Sequence, residues 1–158
     1  MISTGDKIPS VTIKQVTSEG AAEVDPAALF AGKKVVMFSL TGAYTIPCTQ
    51  KHLPGYVESL PELKAQGVDL VVCLAVNDPF VLKAWATEYG ALDKLVMLSD
   101  GDALFTKALG IERPIPGFGV RAHRGLFIID DGVVTSVDIE APGKIEVSGA
   151  DACLLKLK

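Results

Sequence analysis

The chain has 158 residues, a hydrophobic share of 49%, a charged share of 22% and a formal net charge of -4. That length supports one domain, residues 1–158, with a substantial core. No cluster of Lys or Arg extends beyond Lys33-Lys34, so the electrostatic footprint of a nucleic-acid or anionic-membrane binder is missing and neither is expected as a partner.

Met1 to Lys7 has no charged segment followed by an apolar run, which reads against a secretory signal and makes a cytoplasmic location the expectation. Val11 to Val16 reads as an edge strand, ended by the polar turn Ser18-Glu19-Gly20. Asp25 followed by Pro26 offers an N-cap with Pro at the first helical position, and predicts a single helical turn to Phe30. Lys33 to Leu40 is apolar and β-branched with no Pro or Gly inside, the pattern of a strand buried on both faces. Beyond Thr49, residues Leu53, Tyr56, Val57, Leu60 and Leu63 recur at helical spacing, so a helix opens near Cys48 and runs to Gln66-Gly67. Pro54 and Pro61 interrupt its hydrogen bonding, and a kink near Pro54 is expected, leaving the Cys48 turn weakly tied to the rest.

Val68 to Val76 predicts a second buried strand; its run Leu70 to Val76 is too short to cross a bilayer. Asn77-Asp78-Pro79 caps a helix over Phe80 to Tyr89 with Val81, Leu82, Trp85 and Tyr89 on one side. Lys94 to Leu98 is a third strand, and Asp100 or Asp102 caps a short helix through Leu109. Gly110 to Val120, rich in Pro and Gly, reads as a shaped loop of the kind that often carries function. Arg124 to Asp130 and Val133 to Ile139 flank Asp131-Gly132, a hairpin signal. A small amphipathic helix from Ser148 or Asp151 ends the chain. Strands alternating with helices, then a hairpin and a last helix, predict an α/β, thioredoxin-like fold with a central mixed sheet flanked by helices on both faces.

The chemistry centres on Cys48. With Thr45 as N-cap, Cys48 is the third helical residue and its thiol faces the positive end of the helix, which favours the reactive thiolate. Arg124, at the start of the hairpin, is a candidate cation for the same site, being permanently charged and rich in donors. On local pattern alone, Arg121 and Arg124 also fit a solvated pair at a strand end. Three cysteines, with no C-x-x-C spacing, argue against a disulfide framework and a zinc ribbon. Cys73 lies in a buried run and Cys153 beside Leu154 and Leu155, where packing is the expected role.

The run from Gly42 to Tyr56, centred on Thr45-Ile46-Pro47-Cys48, resembles the active-site motif of the peroxiredoxin 5 or type II peroxiredoxin family. Val76-Asn77-Asp78-Pro79-Phe80, Leu98-Ser99-Asp100-Gly101 and Gly119-Val120-Arg121-Ala122-His123-Arg124 extend the resemblance over nearly the whole chain in order. It implies a thioredoxin-fold, cofactor-free, metal-free and dimeric enzyme, a thiol peroxidase. Cys48 would be the peroxidatic cysteine, Thr45 the hydroxyl that bonds it, and Arg124 the arginine of the site. The thiolate would attack hydrogen peroxide or an alkyl hydroperoxide and become a sulfenic acid. Family members with an internal resolving cysteine carry it shortly after the hairpin. Glu146-Val147-Ser148-Gly149 has none there, so an external reductant is expected, glutathione with glutaredoxin or thioredoxin, in a 1-Cys mechanism. Two departures stand out: Thr41 replaces a usual Pro, and Pro47 has no N–H to offer a bound peroxide, so a slower or differently selective peroxidase is expected.

Other readings stay open at this level. His52, four residues after Cys48, permits a cysteine hydrolase in which it is the base; the simpler reading is a helix-face histidine near the substrate mouth. A metal site from Cys48, His52 and His123 has too few ligands at recognised spacing. A non-catalytic redox sensor or binding module would use the same Cys48 but would oxidise once and stop.

Overall fold

A computed structural model describes residues 1–46 and 48–158, with Cys48 described by its backbone only. Its centre is three parallel strands, β3 (Lys34–Ser39), β4 (Leu70–Ala75) and β5 (Val96–Ser99). Antiparallel strands flank them on both sides: β1 (Ile13–Thr17) and β2 (Gly20–Val24) beyond β5, and β8 (Gly125–Asp130) and β9 (Val133–Ile139) beyond β3. The order across the sheet is β2-β1-β5-β4-β3-β8-β9.

Alternation along β3 divides the core in two. Val36 and Phe38 join Leu53, Tyr56, Leu63, Leu82 and Trp85 on one face. Val35 and Met37 join Phe30, Phe105, Leu109 and Phe127 on the other. Successive strand side chains point to opposite faces, so a strand covered on both sides is apolar throughout. Each fully buried Leu, Val or Phe contributes about 1.5–3 kcal/mol.

The helices are α1 (Pro26–Phe30), α2 (Leu53–Glu58), α3 (Leu60–Ala65), α4 (Pro79–Glu88), α5 (Leu104–Leu109) and α6 (Ala150–Leu157). Asp25 caps α1 by accepting from the Ala27 N–H at 3.0 Å, and Asp78 caps α4 from Phe80 and Val81. At α5 neither candidate is the N-cap residue, which is Ala103; Asp100 instead serves the first turn from outside it, accepting from the Phe105 and Thr106 N–H groups.

Four other expectations change. The strand after Val11 is not an edge: β2 pairs outside it, and its Gly-Ala-Ala-Glu-Val sequence carries little strand signal. The Pro/Gly segment after Gly110 is a two-stranded ribbon, β6 (Glu112–Ile115) and β7 (Gly119–Ala122); Pro114 is tolerated because a two-stranded ribbon has only edges. On α4 the buried residues are Leu82, Trp85 and Ala86, while Val81 and Tyr89 are exposed. The long helix after Cys48 is three pieces: a π-helical turn (Cys48–His52), then α2, then α3. Pro54 and Pro61 each fall in the first turn of a piece, where an N–H is not needed.

Candidate active site

The loop from β3 to the π turn is held from below. The Ala43 N–H donates to Asn77 Oδ1 at 2.8 Å, and Arg121 Nη1 donates to the carbonyls of Val76 at 3.2 Å and Thr41 at 3.5 Å. Arg121 Nε also donates to the Phe118 carbonyl at 3.0 Å. Arg121 is thus a clamp rather than a solvated partner of Arg124. Gly42 is required beneath it: its φ is +153°, and a Cβ there would meet Arg121 Nη1 at 2.5 Å.

Thr45 follows. Its hydroxyl donates to the Gly42 carbonyl at 2.6 Å, and its own carbonyl accepts from the Thr49 N–H at 3.0 Å. The hydroxyl proton is therefore spent on the backbone, and the oxygen's remaining capacity is that of an acceptor. The chain then enters the π turn that Cys48 opens. π turns are rare and concentrate at functional sites. The Cys48 sulfur and Pro47 lie outside the described residues, so the expected contact of the thiol with Thr45 and Arg124 is not part of this geometry.

Arg124, just before β8, is 7% exposed. Its Nη1 lies 3.0 Å from His52 Nδ1, which brings the guanidinium to the last residue of the π turn. His52 is 1% exposed, not a residue at a solvent mouth, and its Nε2 lies 3.0 Å from the Ser148 carbonyl. A carbonyl accepts only and a guanidinium donates only, so the imidazole is neutral, protonated on Nε2 with the Nδ1 lone pair turned to Arg124. Burial, assisted by the charge of Arg124, lowers the His52 pKa to about 3. Both nitrogens are committed. His52 therefore has no lone pair for a metal and cannot act as the base of a cysteine hydrolase.

Behind His52 lies a group that sequence reading missed. Tyr56 Oη donates to the same Ser148 carbonyl at 2.6 Å, and its ring stacks on Phe38 with centroids 4.1 Å apart. Glu140 Oε2 accepts from the backbone N–H groups of Glu146, Val147 and Ser148 at 2.7, 2.8 and 2.8 Å, and from Ser148 Oγ at 2.7 Å. Burial pushes the Glu140 carboxyl up, but these bonds, led by the Ser148 hydroxyl, outweigh it and hold the pKa below the usual value. The Glu140 N–H donates to the Arg124 carbonyl at 2.9 Å. A carboxylate at the end of an alternating strand, before Ala-Pro-Gly, carries no periodic signal; only the run of backbone donors it meets in the fold reveals it.

The other thiols lie in the core beside this group, in the cluster that holds Phe38 and Tyr56. Cys73 is buried on β4 and Cys153 on α6. Burial raises the Cys153 thiol to about 12, so little thiolate forms at neutral pH.

The sequence pattern of the Redoxin family matches residues 3–154. Peroxiredoxin-2B of Arabidopsis thaliana is 39% identical over 159 residues, covering 99% of this chain and 98% of that protein. Peroxiredoxin-2E of the same plant, a chloroplastic form, is 39% identical over 163 residues and covers 99% of this chain and 69% of its own length. Among solved structures, reduced Prx3 from Vibrio vulnificus in complex with hydrogen peroxide superposes with a TM-score of 0.95 at 48% identity, over 100% of both chains. Peroxiredoxin 5 from Alvinella pompejana superposes at 0.87 with 32% identity, over 99% of this chain and 98% of that one.

Proposed function

This chain belongs to the Redoxin family, as a thioredoxin-fold peroxiredoxin and thiol peroxidase, and from that premise we propose that Cys48 is its reacting thiol, served by Thr45 and Arg124. The Cys48 thiolate attacks one oxygen of hydrogen peroxide or an alkyl hydroperoxide. A sulfur–oxygen bond forms as the O–O bond breaks, and the departing oxygen leaves with a proton as water or an alcohol. The sulfur becomes a sulfenic acid.

The observation that carries this reading is the 3.0 Å bond from Arg124 to His52 on the turn opened by Cys48. It holds a buried, permanently charged donor group against the last residue of that turn, which supports a role for it in stabilising a thiolate and a departing oxygen. The Thr45 hydroxyl, its proton given to Gly42, offers an acceptor for the O–H of a bound peroxide. Pro47 offers no N–H, which leaves the site one backbone donor short.

Regeneration needs a second thiol. Ser148 stands in the segment where a resolving cysteine would be expected, and Cys153 is buried with its thiol held protonated. An external thiol therefore condenses with the sulfenic acid and releases water, and a second thiol reduces the mixed disulfide. Glutathione with glutaredoxin, or thioredoxin, has this chemistry. Cys153, a buried thiol outside any disulfide, suits a reducing compartment, in this reading the cytoplasm. A homodimer formed through the exposed Phe80 and Phe118 completes the proposal.

A peroxide-consumption assay with each reductant, on wild type and Cys48→Ser, tests the whole. Repeated turnover lost in Cys48→Ser is expected. A single oxidation without turnover would leave the sensor reading, and activity retained in Cys48→Ser would overturn the assignment.

A further inference from the structure

We propose that Glu140 and His52 are positioning residues for the peroxidase reaction, acting in series through Ser148 to fix how the Arg124 guanidinium is presented to the Cys48 turn. The inference deepens the proposed function and rests on Cys48 and Arg124 holding the roles given there.

The links are all short and all directional. Glu140 gathers three consecutive backbone N–H groups and the Ser148 hydroxyl onto one oxygen, which fixes the segment 146–148 in one conformation. Successive N–H groups converging on one anion form a rigid nest. The conformation so fixed aims the Ser148 carbonyl at His52 Nε2, 3.0 Å away. With its proton committed there, the ring has only Nδ1 to offer, and Arg124 Nη1 donates to it at 3.0 Å. Bonds in such a chain polarise one another and are costly to leave half made in a buried site.

The arrangement suits a catalytic cation better than a direct carboxylate contact at this nitrogen would. A carboxylate on Nη1 would orient the guanidinium but offset its charge, and a neutral imidazole orients it without adding negative charge. The carboxylate stands instead at the far end of the chain, beyond His52 and Ser148. Among the described residues, the charged groups that bear on the ring are Arg124 and Glu140.

Tyr56 supplies a control. Its hydroxyl donates to the same Ser148 carbonyl, yet it is not on the path to Arg124. Loss of that bond should lower stability and leave the arginine aimed.

The test uses the full chain, pre-reduced and mixed with hydrogen peroxide in a stopped-flow instrument. The signal is the fluorescence of the single tryptophan, Trp85, whose indole N–H donates to Thr49 on the π turn. Arg124→Lys sets the scale. His52→Phe should slow the second-order reaction about tenfold, the size expected for a hydrogen bond to a charged group. His52→Asn, whose Oδ1 can stand in for Nδ1, should recover most of the loss. Glu140→Gln should slow the reaction several-fold and Tyr56→Phe should not. In an Arg124→Lys background, His52→Phe should add little, because residues acting through one group are not additive. The Cys48 thiol, titrated by its absorbance at 240 nm, should ionise at higher pH in His52→Phe than in wild type.

Wild-type rates in Glu140→Gln and His52→Phe overturn the proposal, and so do losses that multiply with that of Arg124→Lys or an equal loss in Tyr56→Phe. If His52→Phe does not fold, Glu140→Gln and His52→Asn decide the matter. Failure of the underlying reading looks different: Arg124→Lys would react at the wild-type rate, or Cys48→Ser would still consume peroxide.

Discussion

His52 carries a pH signature of its own. Its folded pKa, about 3, lies below the ordinary 6.5, so between those values the unfolded chain binds a proton that the native chain refuses. Stability therefore falls as the pH drops below about 6.5, by at most about 1.4 kcal/mol per pH unit for this one group. His123, lowered by burial, adds to the same window. Urea unfolding from pH 7 to 4 should show a shallower loss in His52→Asn than in wild type, and an unchanged slope would mean that the ring is not held neutral. Pro47→Gly is a second residue-scale test: it restores an N–H, and the second-order rate with peroxide should rise. No increase would remove the missing donor as a cause of slowness. Cys48, Thr45 and Arg124 each stand in a local motif, so sequence alone singles them out as candidates. The role of His52 was not, since its burial is set by Ser148 and Glu140, 96 and 88 positions along the chain. No short-range pattern reports a bond between a helix turn and the loop after a distant hairpin.

At the scale of elements, local chemistry announced itself wherever caps and buried strands decide the outcome. Asp25-Pro26 and Asp78-Pro79 begin helices as expected, and Asp131-Gly132 turns β8 into β9. It was silent where pairing decides. The small residues of β2 become a strand because β1 offers them a partner, and β6 and β7 pair across Pro116-Gly117. The π turn carries the proposed reacting residue, Cys48, and its side chains tie it down more than the two prolines suggest. Besides His52, Thr49 Oγ1 accepts from the buried Trp85 indole at 3.1 Å. Thr49→Val keeps the shape and removes the acceptor, leaving a buried N–H unmade at a cost of about 1–3 kcal/mol. Urea denaturation should register that loss, and hydrogen exchange at residues 49–52 should quicken. One equivalent of peroxide should quicken the same amides in wild type if the turn opens once its sulfur has reacted. Protection identical before and after oxidation would mean that it stays wound.

For the whole molecule, burying the sheet on both faces still leaves several large apolar side chains exposed among the described residues, in the segments that flank the π turn. Phe80 is 87% exposed, Ile46 71%, Tyr44 49% and Phe118 47%. They belong to three segments that the same bonds tie together. Asn77 joins the start of α4 to Ala43, while Arg121 joins the β6–β7 turn to Thr41 and Val76 and lies 5.8 Å from the Phe118 ring centroid. Clustered exposed aromatics of this kind mark an interaction surface, and a second copy of the chain is the occupant that a closed two-fold assembly supplies. Wild type should sediment at twice the mass of one chain. Phe80→Glu, a change at a solvent-facing position that costs the monomer about 0.5 kcal/mol or less, should sediment as a single chain with an unchanged circular dichroism spectrum. Because Tyr44 and Ile46 lead directly into Thr45, that variant should also show faster exchange in residues 43–46. A wild type that stays monomeric at micromolar concentration would remove the partner, and the four side chains would then be free for the reductant that restores Cys48.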